Sequence, residues 1–448
     1  MRLTILGGGG FRVPLVHRAL LTDDAVTELV LYDTDPLRVR AVAAVLAHQA
    51  QGHPMAPRVR IARDLDDALR SADFVFSAIR VGGTAGRVRD ERLPLAEGLL
   101  GQETVGAGGV LYGLRTLPVA TEIAERVAAV APGAWVINFT NPAGMVTEAM
   151  SRVLGDRVIG ICDSPVGLVR RAARAAGADP DAVTYDYVGL NHLGWLRSLT
   201  DGQGRDLLPG LLADSEALGS FEEGRLFGAR WLRALGSLPN EYLHYYYFAR
   251  EAQAAVREAE ATRGEFLDRQ QGAFFAAAAA VAQDRPQDAY RLWDSTRRER
   301  EETYMAENRA ATGGWERDAH DLDGGGYDRV ALALMRAIAR DERTTLILNV
   351  RNGSGGGPGS GSAVAVLDAD AVVEVPCAVG AFGARPLRVA PPHDHQAGLM
   401  LSLKAVERAA IEAAATGSRA AALRALALHP LIDSVAAAAR VLDRTETT

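Results

Sequence analysis

The chain has 448 residues and a formal net charge of −7 at pH 7, so it is long enough for two domains and lacks the basic balance that a phosphate backbone requires. Nucleic acid is therefore not an expected partner. Its two cysteines, Cys162 and Cys377, are too few for the disulfide framework of a secreted protein and predict a reducing, cytoplasmic setting.

Basic residues are nearly all arginine, with Lys404 a rare exception, which reads as coding bias rather than a binding stripe. The first apolar run, Leu3 to Leu6, is too short for a signal peptide, and no stretch reaches membrane-spanning length without charge. No membrane partner is expected.

In chain order, Arg2–Leu6 reads as a strand, followed by the turn Gly7-Gly8-Gly9-Gly10 and a helix over 13–21. Strands at Glu28–Tyr32, 59–62, 74–78, 134–138 and 157–161 alternate with helical patterns that include 117–130 and 144–154. Strands and helices at this spacing predict a Rossmann-like, doubly wound parallel sheet, with ligands at the carboxyl ends of its strands. Beyond Cys162 the pattern loosens. Helices over 166–176, 221–235 and 251–281 mix with strands at 185–190, 344–350, 363–367 and 372–375, and helices over 396–415 and 418–428 follow. This predicts a mixed α+β second domain. The Gly- and Ser-rich stretch 353–362 reads as a flexible loop.

A glycine turn between a first strand and a helix lets backbone N–H groups approach a pyrophosphate at the positive end of the helix. Gly7 and Gly9 supply the first two glycines, with Gly10 and Phe11 in the same turn, while Arg12 takes the third position. Asp33 ends the second strand, where a carboxylate holds a ribose diol and disfavours a 2′-phosphate. The alternative is a tight turn with a capping Asp; the repeated βα units favour a dinucleotide, NAD over NADP.

Cys162 and Asp163 end a buried strand, and Asn191-His192 follow another. A lone Cys reads equally as a small core residue, but Cys and His together can hold a transition metal and leave positions for substrate oxygens. Asn240-Glu241-Tyr242-Leu243-His244-Tyr245-Tyr246-Tyr247 reads mainly as a packed aromatic platform, in which one phenol is a candidate base and His244 a structural histidine. Arg80, Arg87, Asp90 and Glu91, then Glu103, then Asn138 and Asn141 follow strands at the same sheet edge, a placement that favours a site over surface solvation.

These residues resemble family 4 glycoside hydrolases, the NAD-dependent group of 6-phospho-α- and 6-phospho-β-glucosidases. The resemblance runs from Ile5-Leu6-Gly7-Gly8-Gly9 through Arg80-Val81-Gly82-Gly83, Gly101-Gln102-Glu103-Thr104, Asn138-Phe139-Thr140-Asn141-Pro142, Cys162-Asp163 and Gly189-Leu190-Asn191-His192 to Val373-Glu374-Val375-Pro376. It implies metal ligands at Cys162 and His192, normally for manganese. It also implies a tyrosine base at Tyr242 with Tyr245 second, and an acid near the leaving group at Asp163. Substrate contacts fall at Asn141 and Asn191, a sugar-phosphate contact at Arg87 and a glutamate near the metal at Glu103. The implied reaction is oxidation at C3 of the sugar, deprotonation at C2, elimination of the aglycone, addition of water and return of hydride, in place of paired carboxylates. It further implies residues 1–163 as the NAD-binding domain. Residues 164–448 would form a substrate, metal and oligomerisation domain like the C-terminal domain of lactate and malate dehydrogenases, in a homodimer or homotetramer.

Two departures bear on substrate. The motif Cys162-Asp163-Ser164-Pro165 matches neither the Cys-Asp-Met-Pro of α-type members nor the Cys-Asn-Val-Pro of β-type members. Asp323 precedes Gly324-Gly325-Gly326-Tyr327 where many members carry arginine, which weakens phosphate binding if it occupies the same place. The general pattern is closer to the 6-phospho-β-glucosidase branch. The competing readings are a glycosidase for an α-linked or unphosphorylated sugar, a hydroxy-acid dehydrogenase and a non-catalytic NAD sensor.

Overall fold

The computed structural model describes residues 1–281, 285–317, 326–353 and 361–446. Asp323 and most of the stretch 353–362 lie outside the described residues. The short apolar runs of the first half form strands buried on both faces, the signature of a parallel sheet covered by helices, except for the more exposed edge strand Arg58–Ile61. These are β1 (Arg2–Leu6), β2 (Glu28–Tyr32), β3 (Arg58–Ile61), β4 (Phe74–Ser77), β5 (Trp135–Asn138) and β6 (Val158–Gly160). All neighbouring pairs among them are parallel, in the order β3-β2-β1-β4-β5-β6. This is the doubly wound order that places a crevice beyond the strand ends where the winding reverses, as the sequence predicts.

The sheet does not stop there. β7 (Thr184–Leu190), β8 (Leu193–Thr200), β9 (Leu238–Pro239), β10 (Thr344–Arg351), β11 (Val372–Gly380) and β12 (Gly383–Pro386) extend it in antiparallel fashion. Past β6 the order runs β10-β11-β7-β8-β9, with β12 paired to β11. The junctions are narrow: Asn349 of β10 pairs with Gly160 of β6, and Glu374 of β11 with Gly189 of β7. The last helices turn back, and Asp394–Thr416 packs against the first-half helix Gly106–Val130.

Several expected elements change. Residues 363–367 form bends and turns, not a strand; Asn352 holds that segment by donating to the carbonyls of Val364 and Leu367 at 2.9 and 2.8 Å. The helix expected over 221–235 is two helices, Glu222–Phe227 and Ala229–Leu235, broken at Gly228, whose φ of +74° no helix accommodates. That expected over 251–281 is also two, Ala249–Glu258 and Arg263–Val281. The second starts at a reciprocal cap: the Glu265 carboxylate accepts the Thr262 N–H at 2.9 Å, and the Thr262 hydroxyl accepts the Glu265 N–H at 3.2 Å. Helices Gly83–Ala96, Pro286–Glu302, Tyr327–Arg340 and Val435–Glu446 and strand β8 come in addition to those expected. No helix among the described residues is long and apolar enough to cross a membrane.

Candidate active site

One cavity of about 820 Å³ opens beyond the carboxyl ends of β1, β4, β5 and β6 and reaches into the second half of the chain. The residues expected to hold cofactor, substrate and metal or to transfer protons line its wall: Gly7, Gly9, Gly10, Phe11, Arg12 and Asp33; Arg87, Glu103, Asn141 and Asn191; Cys162, Asp163, His192, Tyr242 and Tyr245. Asn138 does not; its amide donates to the Ala143 carbonyl and the Thr147 hydroxyl at 3.3 and 3.0 Å. Asp90 turns elsewhere, onto Arg115 at 2.7 and 2.5 Å.

At the glycine turn the backbone leaves no room for side chains. A Cβ on Gly7, at φ +80°, would sit 2.5 Å from the Ala78 carbonyl oxygen, and one on Gly9 would sit 2.9 Å from the Asp33 carboxylate. Gly9 and Asp35 donate their N–H groups to Asp33 at 2.8 and 3.0 Å, fixing that carboxylate at the end of β2 with lone pairs to spare. The turn feeds helix Val13–Leu20. This cradle fits a dinucleotide pyrophosphate and its ribose. Arg12, at the position of the usual third glycine, sends its guanidinium to 3.9 Å from Asp163 and 3.8 Å from Glu301. The missing glycine is thus a cation reaching the centre of the cavity. Phe11 packs inward, edge-on to Phe274 at 5.4 Å, and its carbonyl accepts the Trp293 indole N–H at 2.9 Å.

The centre holds Cys162 and His192. His192 sits in the two-residue turn between β7 and β8 at φ +62°, a strained conformation for a residue with a side chain. Burial keeps its imidazole neutral, lowered to about 3, so its nitrogen lone pair is available. Burial, then Glu374 and Asp163, push the Cys162 thiol up, so a bound cation is what would favour its thiolate. Among the described residues no three His, Cys, Asp or Glu side chains are gathered closely enough to hold a metal ion. A cation here would take two donors from the protein, leaving the rest of its shell for other oxygens. The buried Asn141 Oδ1, without a partner among the described residues, lines the same cavity. Asn191 is steadied by Glu374, which accepts from it at 3.4 Å and from Asn349 and Tyr187 at 2.9 and 3.0 Å.

Tyr242 stacks on His192 with ring centroids 3.7 Å apart. Tyr304, not anticipated from the sequence, donates a hydrogen bond to the Tyr242 hydroxyl at 3.1 Å. Burial, then Glu241, push the Tyr242 phenol up; the Tyr304 bond acts the other way. Burial also raises the Asp163 carboxyl, opposed by Arg12, so it holds its proton more tightly than an exposed aspartate.

The far end is cationic. Arg87 bonds Glu91 at 2.8 Å and Glu103 at 2.7 Å, and Arg80 also pairs with Glu103. Burial would raise the Glu103 carboxyl, but Arg80 and Arg87 outweigh it and bring it down to about 2. Two further arginines were invisible in the sequence. Arg263 donates to Thr303 Oγ1 and the Arg300 carbonyl, both at 2.7 Å. Burial, then Arg87, lower Arg263 to about 10; burial, then Arg12, lower Arg300 to about 9. An arginine stays charged at any pH the fold survives, so these shifts show how poorly the two charges are offset. The Thr262-x-x-Glu265 cap was the available signal for where Arg263 stands.

Comparison with known proteins gives a consistent picture. The model described as Family 4 glycosyl hydrolase matches residues 2–178, and that of the family's C-terminal domain matches residues 187–432. A 6-phospho-β-glucosidase of Escherichia coli is 32% identical over 83% of this chain and 77% of its own. A maltose-6′-phosphate glucosidase of Bacillus subtilis is 29% identical over 98% of this chain and 94% of its own. Among solved structures, the 6-phospho-β-glucosidase of Thermotoga maritima with manganese, NAD⁺ and glucose-6-phosphate is 26% identical. It covers 99% of this chain and 97% of its own with a TM-score of 0.79.

Proposed function

The chain belongs to the family 4 glycosyl hydrolases, and from that premise we propose that it hydrolyses 6-phosphoglucosides, β-linked first, with NAD⁺ and a divalent metal, manganese, as cofactors. The observation that carries the substrate class is the gathering of Arg87, which Glu91 and Glu103 already pair, with the less fully offset Arg263 and Arg300 in the same cavity as the dinucleotide cradle. A phosphate dianion is the ligand that balances such a cluster through charge-assisted hydrogen bonds.

When bound, NAD⁺ supplies a reversible hydride acceptor for C3 of the sugar, and Mn²⁺, held by Cys162 and His192, an electrophile for its hydroxyl oxygens. The remaining work falls to side chains. Arg87, Arg263 and Arg300 hold the phosphate and so fix the ring relative to the cradle. Asn141 and Asn191 hold ring hydroxyls. Tyr242 serves as base in its phenolate form, which the hydrogen bond from Tyr304 favours against burial and which a bound cation nearby would favour further; its Oη then takes the C2 proton and becomes neutral. Asp163, whose protonated form burial favours against Arg12, is the acid for the departing glycosidic oxygen. Elimination beside an activated carbon needs less leaving-group assistance than cleavage of an unactivated acetal, so both anomers are chemically within reach.

The α-linked reading has one residue in its favour: Asp163 stands where the α-type motif has Asp and the β-type motif has Asn. A rate comparison across α and β, phosphorylated and free nitrophenyl glucosides, with and without NAD⁺, manganese and thiol reductant, decides among them. The expected result is turnover of phosphorylated β-glucoside that needs all three additions and accumulates no NADH. Turnover that survives chelation and NAD⁺ removal would overturn the reading. NADH accumulating with a hydroxy acid would make the chain a dehydrogenase instead. The two buried free thiols, Cys162 and Cys377, suit a reducing cytoplasm, and a homodimer or homotetramer is the assembly we expect light scattering to find.

A further inference from the structure

The two residues given proton-transfer roles come from distant parts of the sheet. Asp163 follows β6, while Tyr242 sits on the short turn Glu241–Leu243 that follows β9. In the strand order β6-β10-β11-β7-β8-β9 these two strands stand five places apart, so no strand pairing sets one against the other. Yet elimination asks both to meet adjacent carbons of one sugar. A misplacement of about 1 Å at a reacting centre costs on the order of 100-fold in rate.

A side-chain bond closes that gap. The Ser164 hydroxyl donates to Glu241 Oε1 at 2.6 Å. Ser164 is the residue after Asp163, and Glu241 the residue before Tyr242. Both are buried, at 8% and 5% exposure, where a hydrogen bond is stronger than in water and its loss leaves a stranded carboxyl. Each end is itself held. Ser164 opens helix Ser164–Ala175, and Arg171 on that helix grips Glu223 at 2.9 and 2.5 Å. On the other side the Asn240 side chain accepts the Tyr242 N–H at 3.1 Å, setting the turn. The Glu241 carboxylate has no other hydrogen-bond partner among the described residues; its Oε2 is buried and unpaired. Ser164 is therefore what orients this carboxyl. Its nearest charges are Glu223, Arg171 and Glu222, not the arginines of the phosphate end.

We propose that Ser164 and Glu241 are a positioning pair, whose hydrogen bond fixes the acid-bearing segment after β6 against the turn that carries Tyr242. The claim rests on the reading of Asp163 and Tyr242 as acid and base. Neither Ser164 nor Glu241 needs to touch the sugar. The pair acts by holding its two neighbours in register, so the bond should matter for proton transfer more than for binding.

Three variants and their combination test this: Ser164→Ala, Ser164→Thr, Glu241→Leu, which has no acceptor, and the double variant Ser164→Ala/Glu241→Leu. With a phosphorylated nitrophenyl glucoside, Ser164→Ala and Glu241→Leu should each lower kcat roughly 10- to 100-fold while KM stays within about threefold. Deuterium at C2 of the substrate should slow the variants more than the parent, because proton abstraction becomes limiting. The double variant should be no worse than the weaker single, as for residues that act as a unit, and Ser164→Thr, which keeps the hydroxyl, should recover most of kcat. A loss confined to KM, additive losses in the double variant, or equal losses in Ser164→Ala and Ser164→Thr would each overturn the proposal. If Glu241→Leu fails to fold, the two serine variants decide alone. A parent enzyme inactive on all phosphorylated glucosides would instead defeat the proposed function. The positioning claim is then read from the crystal structure of Ser164→Ala, where Tyr242 should leave its stack on His192; an undisturbed stack would overturn it.

Discussion

Two buried charge clusters show how this fold separates holding itself together from holding a ligand. Beneath the last helices, Lys404, the sole lysine of the chain, reaches Glu148 at 2.8 Å, the Val372 carbonyl at 2.9 Å and Glu407. Arg408 adds a bond to Glu148 at 3.1 Å and a bidentate pair to Asp368. Every charge there meets an opposite one. At the cavity end, Arg87 is matched by Glu91 and Glu103, but Arg263 bonds the neutral Thr303 hydroxyl and Arg300 carbonyl, and Arg300 has a longer pair with Glu301 at 3.7 Å. Lys404 is raised by its neighbours despite burial, whereas Arg263 and Arg300 are lowered. The first cluster is complete without a ligand. The second, on the function proposed above, takes an anion to complete it.

The largest expected effect tests the closed cluster. Lys404→Met leaves Glu148 and Glu407 facing each other in the core, and should destabilise the protein by about 3–5 kcal/mol in denaturant unfolding. The molecules that remain folded should keep the parental KM, since the cluster does not border the cavity of about 820 Å³. A variant of parental stability would mean that the two clusters are not different in kind. Next comes Arg263→Ala. It should raise KM for a phosphorylated glucoside roughly 100-fold, on the order of 3 kcal/mol, and change KM for the unphosphorylated sugar far less. Equal losses on both sugars would remove Arg263 from phosphate recognition.

The first region, which carries the dinucleotide cradle, was readable from the sequence because its signals are local. Leu3, Ile5 and Leu6 run into four glycines, and Asp33 closes the next strand. Such periods and turn residues need no knowledge of partners. The residues proposed for metal and acid–base roles were marked through short motifs that the chain brings to one wall, although Cys162 and His192 lie thirty positions apart and their spacing is uninformative. Arg263 and Arg300 escaped because arginine is this chain's default basic residue, so composition marks neither. Helix Pro286–Glu302, which presents Arg300, has few apolar residues to give it a period; its core contact rests largely on Trp293. The false strand over 363–367 shows the same limit from the other side. Ala363, Val364 and Leu367 of its apolar run are buried while Ala365 and Val366 are exposed, and Asn352 takes the run up through side-chain bonds instead of a ladder.

A smaller effect of opposite sign sharpens the contrast. Arg300→Met removes a charge that burial and Arg12 disfavour. It should stabilise the ligand-free protein by about 1 kcal/mol while weakening its affinity for glucose-6-phosphate. Thermal unfolding with and without glucose-6-phosphate reads both: the parent should gain more from the ligand than the variant does. A variant less stable than the parent without ligand would show that the charge is already compensated.

The smallest effect lies within the closed cluster, where Lys404's two carboxylates do not respond alike. Burial works to raise both. Lys404, the Val372 N–H and Arg408 outweigh it at Glu148 and lower that carboxyl, whereas burial prevails at Glu407 and raises it. The signs of the pH dependence therefore differ. A lowered carboxyl contributes stability that is present above its unfolded value near 4.5 and lost as pH falls through the folded value. A raised one costs stability as pH climbs from about 4.5 through its folded value, because the native state resists the ionisation that the unfolded chain permits. Glu148→Gln should accordingly lose more stability relative to the parent as pH rises toward 4.5 from the acid side. Glu407→Gln should start near its largest deficit in acid and recover as pH rises above 4.5, ending within about 1 kcal/mol of the parent near neutrality. Unfolding midpoints of both variants between pH 3 and 8 measure this directly. Parallel pH profiles would mean that Lys404 treats its two partners equally, and that the closed cluster carries no internal asymmetry.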